Sequence, residues 1–205
     1  MKAKELIHEL KHHLPLTSLA TIFAIAVVIF LNKINFNFPE TIFEYSHFVH
    51  VVLASIVASA MFYKYKSNLR FSILMGILSS VIIGSVSDVI FPYLGAFAFN
   101  LKPAFHLPMI EEPIKIFGLG FAGSIFGIIF KITKLPHFFH VGISVFASLF
   151  YLVSYVPNTN LAFWIFSFVL VIFSVVLPCC FGDIIFPFLF LGEKIKHCDC
   201  DEEKK

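Results

Sequence analysis

The sequence predicts an all-α integral membrane protein of six transmembrane helices, built as two inverted three-helix repeats whose third and sixth helices are long and kinked or broken. Three observations predict it. Hydrophobic residues make up 59% of the chain and the mean hydropathy is +0.90, whereas a soluble domain has about 45–50% apolar residues. Six apolar stretches are separated by short connectors that leave no room for a soluble domain. Two small motifs recur in the same order at nearly the same spacing. His47-Phe48-Val49-His50 returns as His137-Phe138-Phe139-His140, and Asp88-Val89-Ile90-Phe91-Pro92 returns as Asp183-Ile184-Ile185-Phe186-Pro187.

The stretches run from Leu14 to Leu31, His47 to Tyr63, Phe71 to Phe99, Ile114 to Phe130, His137 to Tyr155 and Leu161 to Leu191. Each approaches the roughly 20 residues that a helix needs to cross a bilayer core. None alternates as a barrel strand would. The first follows a polar, charged segment and lacks a small-residue cleavage site, so it reads as a retained span rather than a signal peptide. The whole chain reads as one membrane domain. Repeat one covers about 13–100, repeat two about 106–192, and tails 1–12 and 193–205 are expected in the cytoplasm.

Lys and Arg placement sets the orientation. With the N-terminus inside, 12 of the 15 cationic residues fall on the inner side, and the outer side holds Lys33 and Lys102, with Lys115 just within the fourth span. Both termini are therefore expected in the cytoplasm of a cell whose inner membrane holds the protein. The formal charge of +2 carries no nucleic-acid footprint.

Three spans per copy is an odd number, so the second copy enters the membrane from the opposite side, as in many secondary transporters. His13-Leu14-Pro15-Leu16 and His106-Leu107-Pro108-Met109 precede the first and fourth spans and support the same register. The third and sixth spans each hold roughly 30 apolar residues, about 45 Å of continuous helix against a core of about 30 Å. Gly84 and Pro92 interrupt one, and Pro178, Gly182 and Pro187 interrupt the other. Proline removes a backbone donor and displaces the carbonyl four residues earlier. In both copies that carbonyl is expected to be the aspartate's own, at Asp88 and Asp183.

The recurring residues are metal ligands by type. Histidines three apart share one helix face, so His47 with His50, and His137 with His140, can reach one ion. Placed in first turns, they would be held neutral by the helix dipole. The alternative is histidine at headgroup level. Asp88 and Asp183 lie inside apolar runs, where a carboxylate costs several kcal/mol unless paired, hydrated or metal-bound. Ser85 and Ser87 are at hand for Asp88.

Other candidates break the symmetry. Glu111 and Glu112 start the fourth span, where an acid complements the helix dipole and Pro113 suits the first turn. With His106 they could complete an outer site. Cys179 and Cys180 are soft ligands near Asp183 or small packing residues, and are weaker candidates. His197, Cys198 and Cys200 in the tail could capture metal transiently.

The set of His and carboxylate suits a divalent transition metal (zinc, iron, nickel, cobalt or manganese) better than magnesium or calcium. The first expectation is transport or binding of such an ion. The alternatives are an integral-membrane metalloenzyme with Glu111 or Glu112 as general base, and a non-catalytic assembly component such as a haem-binding subunit. Expected partners are the bilayer and the ion, with no nucleic acid. Six helices are few for a transporter, which leaves a homodimer open. Whether the copies form two half-sites, one per leaflet, or one shared site is left open by the spacing.

Overall fold

The computed structural model describes residues 3–131, 134–156 and 160–180. Every regular element among them is helical. In chain order they are α1 (Ala3–Lys33), α2 (Glu40–Tyr65), α3 (Leu69–Ser85), a single π-turn (Val86–Ile90), α4 (Phe91–Ala98), α5 (Pro108–Glu111), α6 (Pro113–Phe130), α7 (Lys134–Tyr155) and α8 (Leu161–Cys180). Five segments are long and apolar enough to cross a membrane: Leu14–Lys33, Glu40–Tyr65, Leu69–Ala98, Pro113–Phe130 and Leu161–Pro178. The apolar part of α7, Phe139–Tyr155, is shorter.

Several boundaries differ from the sequence expectation. The charged N-terminal segment continues the first helix, which begins at Ala3. The second helix starts at Glu40, seven residues before His47. Apolarity alone marked His47 as its start, because Thr41 to Ser46 mix polar and apolar residues. A helix needs only satisfied backbone groups, and the turn that exposes Tyr45 buries Phe43. His47 and His50 therefore lie about two and three turns in, beyond the reach of the helix-end dipole, which falls off within one turn. His137 does fall in the first turn of α7.

The solvent-facing pattern is inverted relative to a soluble bundle. Large apolar side chains cover the outside: Phe23 and Phe30 on α1, Phe97 on α4, Ile114 and Ile129 on α6, and Ile165 and Phe173 on α8. The interior holds His47, His50, Asp88, His140 and many serines, Ser55, Ser59, Ser87, Ser124, Ser144 and Ser148 among them. A hydrocarbon surrounding favours that arrangement, because polar groups can be satisfied only inside the protein.

Helix α2 is the hub and packs against α3, α6 and α7, while α1 lies against α7 and α8. Small residues allow the closest approach. Gly120, Gly123, Ser124 and Gly127 present one face of α6. A methyl group on Gly127 would strike the backbone carbonyl of Ile56, and one on Gly123 would lie 2.7 Å from that of Val52. The Ser59 hydroxyl donates across this seam to the carbonyl of Ser124 at 3.0 Å. On the other side of the hub, α1, α7 and α8 share an apolar core that includes Ala24, Val28, Val145, Leu149, Phe163 and Val171.

The third segment is continuous across Pro92 and carries one π-turn instead of being broken. The Phe91 N–H bonds the carbonyl of Val86, five residues back. The same register assigns Pro92, which has no N–H, to the carbonyl of Ser87. A π-turn shifts the pairing by one residue, so the Ser87 carbonyl is the one that this register leaves without an amide donor. It is not left bare: the Ser148 hydroxyl of α7 donates to it at 3.1 Å.

Candidate metal centre

The centre forms where α2, the π-turn and α7 meet. On α2 the three-residue spacing turns His47 and His50 to one face. Across from them the π-turn carries Asp88. His47 and Asp88 have no exposed surface, and His50 is buried as well. The two Nδ1 atoms converge on a single carboxylate oxygen: His47 lies 2.9 Å and His50 2.6 Å from Oδ2 of Asp88. The other oxygen, Oδ1, faces the hydroxyls of Ser87 at 2.7 Å and Ser144 at 2.9 Å. Four potential donors surround one carboxylate, which is how a buried negative charge is tolerated in hydrocarbon.

That arrangement fixes the imidazoles. An ionised carboxylate only accepts, so an Nδ1 that faces it carries the proton and its Nε2 keeps a lone pair. The Nε2 of His47 is buried with no hydrogen-bond partner among the described residues. A carboxylate that holds the far nitrogen of a histidine is the standard support of a metal-bound imidazole. Direct ligation by Asp88 is the other mode, since one ligand atom from each of His47, His50 and Asp88 can be chosen with all three within 4.8 Å. A tetrahedral ion with bonds of about 2.0–2.1 Å holds its ligand atoms roughly 3.3 Å apart, so a direct site asks the two contacts to widen by only about 0.4–0.7 Å. The residues present fit a divalent ion in either mode.

His140 of α7 stacks on His50, with ring centroids 5.8 Å apart and planes within 10°. Above the centre, Phe43 covers His47. It stacks on that ring at 5.8 Å and meets His106, Tyr151 and Tyr155 edge-on.

Beyond Phe43 lies a second group. Nδ1 of His106 is 2.7 Å from Glu111, and its Nε2 is 3.6 Å from Glu44. The second oxygen of Glu111 accepts from the Leu107 backbone N–H at 2.9 Å, which ties the short α5 to its preceding loop. Glu112 occupies the N-cap position of α6 and pairs with Lys115 at 2.5 Å. The structure thus joins His106 with Glu111, turns Glu112 away to Lys115, and keeps both acids apart from the buried centre. Asp183 and the tail motif of His197, Cys198 and Cys200 lie outside the described residues. For His137, Cys179 and Cys180 only the helical backbone is described.

Sequence reasoning missed Ser144, Ser148 and Phe43. A signal existed for the serines. His140, Ser144 and Ser148 recur every four residues and so share one face of α7. Nothing in the sequence marked Phe43 among 28 phenylalanines. Searches against protein-family models, curated proteins and solved structures find no match to this chain.

Proposed function

We propose that the protein binds a divalent transition-metal ion at His47, His50 and Asp88 and carries it across the cell (inner) membrane. The observation that supports this is the convergence of two imidazoles and a carboxylate within 4.8 Å, fully buried, on segments of membrane-crossing length. Ligand type favours a transition metal over magnesium or calcium. In this reading α7 is a sixth span, both termini are cytoplasmic, and the chain is two inverted repeats.

The packing supports the repeat. Exchanging first with fourth, second with fifth and third with sixth maps most contacts onto others that are present. The first span packs on the sixth, and the third on the fourth; the first meets the fifth, and the fourth meets the second. The second and fifth pack on each other, as related elements that lie beside a two-fold axis do. The proposed partners are lipid, the ion and, for so small a bundle, a second copy of the chain. The enzymatic alternative would use Glu111 or Glu112 as a general base, but both hold other contacts on the far side of Phe43, so it has less support.

Metal analysis of the purified protein, followed by uptake into proteoliposomes, tests the proposal. Stoichiometric metal and saturable uptake that Asp88→Asn abolishes are expected. Uptake that survives that substitution, or protein that folds normally and holds no metal, would sink it.

A further inference from the structure

We infer that the two copies of the histidine motif build one shared centre, with His140 of the second repeat as a ligand to the same ion held by His47 and His50. The inference rests on the metal-binding reading above and settles what the spacing left open. His50 and His140 are equivalent residues, ninety positions apart in the repeat. Their rings stack at 5.8 Å with planes within 10°. Equivalent residues in contact lie across the axis that relates them, so the pseudo-two-fold axis passes between these rings. A site on such an axis is single, whereas sites away from it come in pairs, one toward each leaflet.

A second observation brings α7 to the same ion. Its face carries His140, Ser144 and Ser148 one turn apart. Ser144 reaches Oδ1 of Asp88 at 2.9 Å, and Ser148 reaches the carbonyl of Ser87 at 3.1 Å. That face therefore lies along the π-turn, and His140 is buried one turn from the contact with Asp88. An imidazole binds metal through a lone pair in its own ring plane, so His140, which stacks on His50, is expected to turn out of that stack to bring a nitrogen to the ion.

The result is a nitrogen-rich set, three imidazoles supported or joined by one carboxylate, of the kind zinc and cobalt take with tetrahedral geometry. Because α2 and the π-turn belong to one repeat and α7 to the other, the ion would bridge the two halves that must move apart in alternating access.

Cobalt(II) titration of the detergent-purified full chain tests this, using wild type, His50→Cys and His140→Cys. One cobalt per chain is expected in all three, and each cysteine variant should gain a thiolate-to-cobalt charge-transfer band in the near ultraviolet. His140→Gln, which keeps size and polarity, should weaken cobalt binding by more than about tenfold while leaving the elution profile unchanged. A His140→Cys protein that binds cobalt with no such band overturns the shared centre. So does a wild type that binds two ions of which each variant loses one, or a His140→Gln protein of unchanged affinity. Wild-type protein that binds no cobalt would instead overturn the metal reading itself.

Discussion

At the residue scale, Asp88 organises the interior. Its two oxygens face two imidazoles and two hydroxyls contributed by α2, the π-turn and α7. Replacing it by asparagine keeps the shape but turns one acceptor into a donor that faces either the histidine N–H groups or the serine hydroxyls. Metal affinity is expected to fall by about 10–100-fold, the usual cost of losing the group that supports a metal-bound histidine. Competition with a chelator of known affinity measures this. Ser144→Ala removes only one of four donors and should change affinity much less. An equal loss in the two variants would mean that the Ser144 bond to Oδ1 is what holds the carboxylate in place.

At the element scale, the π-turn and its proline form a unit with α7. Ser148→Ala should leave the Ser87 carbonyl buried with no donor, at a cost of about 1–3 kcal/mol. Pro92→Ala restores an N–H at the position that the five-residue register assigns to that carbonyl. The serine should then matter less, and unfolding measured across the four proteins of a double-mutant cycle should show coupling of about 0.5 kcal/mol or more. Strict additivity would mean that the serine does not replace the missing amide. The α2–α6 seam makes a separate prediction. Gly127 faces the carbonyl of Ile56, which cannot rotate away as a side-chain tip can. Gly127→Val should therefore destabilise by about 1–3 kcal/mol through overpacking, while the same change at Gly118, which has no atom within 4 Å of an added Cβ, should be nearly neutral. Thermal unfolding in detergent compares the two.

At the scale of the whole molecule, the proposed orientation rests on charge and parity. With six spans, 12 of the 15 cationic residues fall on one side, in the terminal segments and two connectors. Single cysteines placed at Asn35 and Asn100 should react with a membrane-impermeant maleimide added outside intact cells, and one at Ser67 should react only after permeabilisation. Labelling of Ser67→Cys from outside would invert the topology. Labelling of all three from one side would take α2 and the α3–α4 segment out of the membrane. In the proposed reading the centre is a joint between repeats, so cross-linking α2 to α7 should arrest uptake while leaving metal bound.

How much of this was legible in the sequence follows from the range of each signal. Helical class, membrane solvent and the doubled motif are written locally, because a run of apolar residues or an H-x-x-H pair needs no knowledge of what it packs against. The recurrence of His50 as His140 could be read from spacing alone. Which pairs meet could not. The α-helical count placed the freed carbonyl at Asp88, whereas the five-residue register of the π-turn sets Pro92 opposite the Ser87 carbonyl. The acidic pair Glu111 and Glu112 looked like one feature, yet consecutive residues on a helix start point in different directions, and each found its own partner. The sequence by itself determined the solvent this protein lives in, the number and type of its chemical groups, and their two-fold repetition. Tertiary structure decided that Asp88 meets His47 and His50 rather than His106, because a carboxylate in hydrocarbon is stable only where helices distant in the chain bring it donors.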